Sequence, residues 1–286
     1  MISFVVQGPT HYKSECPFGV KVGETVVYPE QEFTSQDCVD SLREFYPDCE
    51  IIVSCTTGDA DTLTDVDKTV YITDDMLEHE DNINRQILSS QAVKYASNEL
   101  VCKMRSDMVA LTDDLLPYIE SRIEHKRLDS HKMFDEYVVI SNWSTDKNHY
   151  YHPADFLFLG TKKDLQSIFD IPQRLGRDWQ VGPEQYINLR CMENHGFEKY
   201  IDYDWLKNHG SNNTHLNQNV PPSDSYIQDW WKVFYSNYYV VDLGIQSGIM
   251  SKKYPERVTT NPNLINNKPW IVTGKHLPPI LYVGVA

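Results

Sequence analysis

The chain opens on an unbroken apolar run, Ile2 to Val6, closed by Gln7-Gly8-Pro9. A short run of this kind ended by glycine and proline is the pattern of a buried strand followed by a tight turn. After a stretch punctuated by glycine and proline, Thr34-Ser35-Gln36-Asp37 supplies a helix N-cap. Val39, Leu42 and Phe45 follow at helical spacing as far as Pro47, which predicts a helix. Glu50 to Ser54 predicts a second apolar strand, opening into the polar loop Thr56 to Asp61. Strand, helix and strand in that order predict parallel pairing. Lys68 to Thr73 reads as a third strand. Ile83, Ile87, Leu88, Ala92, Val93 and Ala96 mark one face of a helix over 82–97, and Leu100 to Met104 gives a fourth strand that ends at Arg105-Ser106-Asp107.

The second half is less regular. It predicts a helix near 112–125, a strand from Tyr137 to Ser141, a strand from Phe156 to Gly160 leading into a helix over 162–169, and a helix from Pro183 to about Gly196. Ser211 to Ser225 reads as a loop rich in Asn, Pro and Ser. The pair Trp230-Trp231 follows, where two adjacent aromatics beside a strand serve either as core or as a platform for a sugar ring, and then a strand from Asn237 to Leu243. With no internal repeat and no clean linker, the expectation is one α/β domain over 1–286. Its central sheet is mostly parallel with helices on both faces, and its C-terminal half is irregular. In such sheets ligands bind outside the carboxyl ends of the strands, which here carry Gln7-Gly8, Ser54 to Asp59, and Arg105-Ser106-Asp107.

Charge sharpens this picture. The 286 residues hold 26 Lys and Arg against 41 Asp and Glu, a net −15, so the chain is unsuited to nucleic acid, whose phosphates are bound by Lys and Arg. An anionic ligand must therefore be met by a local cationic cluster or a metal. The 41% hydrophobic and 12% aromatic content excludes wholesale disorder. The opening MISFVVQGPT lacks a cationic stretch and a small-residue cleavage site and is expected to be a strand, not a secretory signal. No apolar run approaches the roughly 20 residues that span a bilayer. The 6 cysteines form no CxxC pair, which points to reduced thiols in a cytosol. Phosphate-loop and dinucleotide fingerprints are absent, as are paired-histidine metal motifs. His209 and His215 are accordingly expected to be solvated.

The most informative constellation is Asn82-Ile-Asn84-Arg85-Gln86 opening one helix and Lys103-Met-Arg105-Ser-Asp107 closing the strand after it. A helix that packs back onto a sheet brings its first turn to the edge where the next strand ends. Arg85 and Asp107 are therefore expected to face one ligand.

These segments carry a resemblance. Ile2 to Pro9, Glu50 to Ser54, Asn84 to Ile87, Lys103 to Asp107, Asp155 to Gly160 with Asp164-Leu165, and Pro183-Glu-Gln185 together resemble the WavE lipopolysaccharide-synthesis family, a group similar to GT-A glycosyltransferases. Val240 to Leu243, Gly248-Ile249 and Lys252-Lys253 look similar as well. The resemblance implies a GT-A-like, Rossmann-like fold with a nucleotide-sugar-binding half over 1–110 and an acceptor-binding half over 111–286. It implies a cytosolic hexosyltransferase, at most peripherally attached to the inner face of a membrane. Such an enzyme moves a sugar from a nucleotide diphosphate, by analogy UDP-linked, to a lipopolysaccharide, a capsular polysaccharide or another glycan acceptor. Where GT-A enzymes carry two aspartates this chain has Arg105-Ser106-Asp107, leaving two readings. Asp107 holds Mn²⁺ or Mg²⁺, which keeps waters and borrows phosphate oxygens. Alternatively Arg105, with Lys103 behind it, itself supplies positive charge. By the same resemblance, Asn84, Arg85 and Lys252 meet the diphosphate, Gln7, Gly8 and Ser54 meet the nucleotide, and Asp155 and Glu184 are the candidate acceptor bases. The competing classes are a non-catalytic glycan-binding or scaffold protein on the same fold and a nucleotidyltransferase.

Overall fold

The computed structural model describes residues 1–15, 20–22, 25–27, 30–56, 62–73, 82–115, 127–142, 145, 150–174, 181–209, 221–241 and 248–251. The first half runs β1 (Ile2–Gln7), β2 (His11–Glu15), β3 (Val20–Val22), β4 (Thr25–Val27), β5 (Glu30–Thr34), α1 (Ser35–Phe45), β6 (Glu50–Thr56), β7 (Lys68–Ile72), α2 (Ile83–Ser90), β8 (Leu100–Arg105) and β9 (Met108–Ala110). The second half adds β10 (Val138–Ser141), β11 (Leu157–Thr161), α3 (Lys162–Phe169), α4 (Pro183–Asn194), α5 (Tyr203–His209), α6 (Asp224–Asn237), β12 (Tyr238–Val241) and β13 (Ile249–Ser251).

Seven strands form one sheet in the order β12-β10-β11-β8-β1-β6-β7. β1 pairs in parallel with β6 and with β8, β6 with β7, and β10 with β12, whereas β11 runs antiparallel to both β8 and β10. The sheet is thus mostly parallel, as expected, and it draws strands from both sides of residue 110. From β1 the chain steps outward through β6 to β7 and then returns by α2 to β8 on the other side of β1. The order reverses between β1 and β8, and a crevice opens where that reversal occurs.

Alternation along the strands builds two cores. Phe4, Val6, Ile51, Val53, Cys102 and Met104 bury one face against Cys38, Val39 and Leu42 of α1. Val5, Ile52 and Val101 point to the opposite face, against Ile83 and Ile87 of α2, Leu165 of α3 and Tyr186 of α4. Each such aliphatic side chain, fully buried, contributes about 1.5–3 kcal/mol relative to exposure. Helices therefore cover both faces. α1 begins where the sequence places it: the Thr34 backbone N–H donates to Asp37 Oδ2 at 3.3 Å, half of a capping box.

The structure departs from the sequence reading in three places. The helix expected over 82–97 is α-helical only to Ser90 and tightens to a 3₁₀ turn over Gln91–Tyr95, where the Gln91 amide reaches the Phe169 carbonyl at 3.1 Å. The punctuated stretch after Pro9 folds into short antiparallel ribbons, β2 with β5 and β3 with β4, and β9 pairs with β13. The helix expected near 112–125 lies mostly outside the described residues. The Trp230-Trp231 pair sits on α6, not beside a strand, and its residues are 1% and 4% exposed within the aromatic core. They are core, and the sugar-platform alternative is set aside.

Candidate functional site

A cleft of about 330 Å³ opens at the carboxyl ends of β1, β6 and β8. Its floor is set by Gly8, whose φ of +136° is open to glycine; a Cβ there would stand 2.4 Å from Ser106 Oγ. Gly8 donates its N–H to the Ser54 carbonyl at 3.2 Å, while Ser106 donates its N–H to the Gln7 carbonyl at 2.8 Å and its hydroxyl to the Pro9 carbonyl at 3.0 Å. The turns after β1 and β8 are stitched together, which fixes the direction in which Arg105 and Asp107 leave the sheet. The Gln7 side-chain oxygen accepts from Ser90 Oγ at 2.7 Å, tying α2 to the same rim. Ser54 Oγ, buried beside the cleft, has no hydrogen-bond partner among the described residues.

Arg85 lines this cleft from α2, opposite Arg105, Asp107 and Asp155. Arg85 and Asp107, expected to face one ligand, line one cleft. Arg105 makes a two-pronged contact with Asp107, Nε to Oδ1 at 3.0 Å and Nη2 to Oδ2 at 2.9 Å, and its Nη1 lies 3.6 Å from Asp155 Oδ1. Its guanidinium rests 4.4 Å from the centre of the Phe156 ring. Burial opposes the charge of Arg105, but Asp107 and Asp155 more than offset this and raise its pKa above the ordinary arginine value. The guanidinium is a fixed cation at the cleft wall.

Asp155 is 6% exposed and reaches the cleft from the segment before β11. Because β11 runs against β8, that segment lies where β8 ends, and Arg105 donates its N–H to the Phe156 carbonyl at 3.3 Å. Asp155 Oδ2 accepts from Gln86 Nε2 at 2.8 Å, whereas its buried Oδ1 has no hydrogen-bond partner among the described residues. Burial raises the Asp155 pKa, partly countered by Arg105 and Lys103 and reinforced by Glu184.

Three sequence candidates prove to be placed elsewhere. Lys103 is fully buried, donates to the Asp155 carbonyl at 2.8 Å, and sits over the rings of Phe158 and Phe169 at 5.5 and 5.8 Å. It supports Asp155 from beneath and does not line the cleft; burial pulls its pKa down to about 8. Asn84 turns away from the cleft and clamps the backbone of Arg174, donating to its carbonyl at 3.0 Å and accepting its N–H at 2.7 Å. Glu184 lies behind Asp155, and the two share with Gln86 a separate void of about 10 Å³. Its Oε2 is 3.6 Å from His152 Nε2. Burial would raise the Glu184 pKa, but the His152 contact holds it well below the usual carboxylate range; burial would lower that of His152, and Glu184 raises it instead. His152 and Gln86 are the members of the site that sequence reasoning passed over. Their signal was adjacency, His152 three residues before Asp155 and Gln86 directly after Arg85. Lys252, His215 and the 57–59 part of the Ser54 to Asp59 loop lie outside the described residues.

The donor set argues against a divalent ion held at Asp107. Both of its oxygens are engaged by Arg105, and among the described residues no three His, Cys, Asp or Glu side chains converge on one point. In this structure a guanidinium stands against both Asp107 oxygens.

Residues 2–275 match the family described as WavE lipopolysaccharide synthesis. The chain belongs to the WavE family. This assigns the WavE-family chain to lipopolysaccharide synthesis as its field of action. A solved structure, that of HddC from Yersinia pseudotuberculosis complexed with GMP-PN, is similar at 14% identity over 60% of this chain and 80% of that one, with a TM-score of 0.27. No curated protein matches the chain. Among the described residues of this WavE-family chain, no helix is long and apolar enough to cross a membrane.

Proposed function

We propose that the chain is a glycosyltransferase of GT-A type that moves a sugar from a nucleotide diphosphate, UDP-linked by analogy, onto a lipopolysaccharide or related surface glycan. Its place is in the cytosol, with the acceptor at the inner face of the membrane. The observation that carries this reading is that two guanidiniums, Arg85 and Arg105, and one carboxylate with an unbonded oxygen, Asp155, line a single cleft at the reversal point of the sheet. Cations there stabilise the charge that develops on the departing diphosphate. Arg105 is held rigid by Asp107 and needs little reorganisation when that charge appears. Gln7, Gly8 and Ser54 form the side of the cleft open to the nucleotide.

In the transfer the acceptor hydroxyl oxygen bonds to the anomeric carbon while the bond from that carbon to the phosphate oxygen breaks. The electron pair leaves with the diphosphate, and the hydroxyl proton passes to the Asp155 carboxylate. A carboxylate whose pKa is raised toward the working pH is suited to this role. Such a direct displacement inverts the anomeric centre. These steps draw on the chain's own residues alone.

Thermal unfolding with UDP, GDP and CDP, each with EDTA and again with Mn²⁺, tests the reading. A nucleotide at a hundredfold its dissociation constant adds about 2.7 kcal/mol of stability. The expected result is a shift with one nucleotide that persists in EDTA and is lost in Arg85→Ala. A flat response to all three would favour the glycan-binding scaffold. Release of pyrophosphate from a nucleoside triphosphate and a sugar 1-phosphate, with formation of a sugar nucleotide, would favour the nucleotidyltransferase.

A further inference from the structure

Behind the cleft lies a largely buried cluster of charge, with Glu184 half-buried at its edge, that the transfer step does not itself use. Lys103, His152 and Glu184 surround Asp155 on the side away from solvent. From β8 come the ammonium of Lys103, on the Asp155 carbonyl, and the guanidinium of Arg105, 3.6 Å from Oδ1, with Asp107 just beyond in the turn. From α2 comes the neutral amide of Gln86, and from the first turn of α4 comes Glu184. From the segment that bears Asp155 comes His152, engaged with Glu184. Two fixed cations thus press on Asp155. Taken alone they would hold it ionised and make it a weak proton acceptor. The Glu184 carboxylate is the counterweight, facing Asp155 across a void of about 10 Å³, the size that holds one water.

We propose that Glu184, kept ionised by His152, is a positioning residue for Asp155: its charge offsets Lys103 and Arg105, so that Asp155 can take up a proton from a hydroxyl in the cleft. The proposal rests on the reading of Asp155 given above. It gives a role to a half-buried glutamate and a buried histidine that stand behind the cleft and do not line it, and to a lysine set among two phenylalanines.

Carboxyl-carbon NMR of protein labelled with ¹³C-aspartate, the Asp155 signal assigned by its loss in Asp155→Asn, tests this directly. In the unsubstituted protein the Asp155 midpoint is expected above the ordinary aspartate value of about 3.9. Glu184→Gln should lower it by about one pH unit, while Glu184→Asp, which keeps the charge, should restore most of the difference. Lys103→Met, a near-isosteric change in an apolar setting, should move the midpoint the other way and keeps the test available if Glu184→Gln does not fold. An Asp155 midpoint unmoved in Glu184→Gln, or in Lys103→Met, would overturn the proposal. The UDP thermal shift of the same proteins separates this failure from that of the wider reading: it persists if only the charge balance is wrong and is absent if the cleft does not bind nucleotide.

Discussion

At the scale of single residues, strand alternation and register explain both what the sequence revealed and what it hid. Arg85 and Asp107 were placed at one edge by spacing alone, and they share the cleft. Lys103 and Arg105, two apart on β8, were bound to share a face, but only position along the strand decides solvent access. Arg105 stands at the strand end with 29% of its side chain exposed, and Lys103 is sealed at 0%. Asn84 and Glu184 were misplaced because a motif gives residue type and not the direction of the side chain on its helix. Gly8 gives a first prediction. Gly8→Ala combines a disfavoured φ with a 2.4 Å approach to Ser106 Oγ, so it should cost roughly 1–3 kcal/mol in urea unfolding and weaken nucleotide binding as the two turns part. Arg105 gives a second. Arg105→Lys keeps the charge but loses the fork that meets Asp107, and nucleotide affinity measured by calorimetry should fall about tenfold, a change of about 1.4 kcal/mol.

At the scale of elements, those with clean caps and periodic apolar positions were legible, and those whose period was filled with aromatics were not. α3 begins and ends where its pattern predicts, because Thr161 Oγ1 accepts the Asp164 N–H at 3.1 Å and Leu165, Ile168 and Phe169 form its buried stripe. α6 was not predicted: between the loop ending at Ser225 and the strand from Asn237 only the Trp230-Trp231 pair was singled out. Its stripe of Ile227, Trp230, Trp231 and Phe234 has helical spacing, but adjacent tryptophans and tyrosines blur the contrast between faces. Asp164 shows what a family-matched residue can do without touching a ligand. It accepts N–H donors from Asp135 at 2.9 Å and Glu136 at 3.0 Å and the Thr161 hydroxyl at 2.8 Å, pinning the approach to β10 onto the start of α3. Asp164→Ala strands these donors and should destabilise by about 2–3 kcal/mol in denaturant unfolding, with Thr161→Ala costing about 1 kcal/mol.

At the scale of the whole molecule, the sheet has a working rim and a structural one. At the far end from the cleft Glu50 gathers Ser3, Lys68 and Ser97, joining β1, β6 and β7 to the segment before β8. Burial would raise the Glu50 pKa, but these partners bring it to about 2. A carboxylate depressed in the folded state stabilises fully above its unfolded value of about 4.3, and that contribution is lost as pH falls from there toward 2. Acid titration of unfolding free energy should therefore show a shallower fall in Glu50→Gln than in the unsubstituted chain. The net charge of −15 sets a different expectation for ligand capture. Raising ionic strength from about 0.01 to 0.1 M shortens the screening length from about 30 to 10 Å, which mutes repulsion by the whole surface but not attraction by guanidiniums a few ångströms away. Association of a fluorescent nucleotide diphosphate in stopped flow should accelerate over that range. The reversed direction of β11 has an evolutionary corollary. Because that strand begins where β8 ends, the groups proposed to grip the donor and the group proposed to accept the proton are encoded on opposite flanks of residue 110, yet meet across one pair of neighbouring strands. A chimera of two relatives joined near that residue would inherit its hold on the leaving group from one parent and its treatment of the incoming hydroxyl from the other.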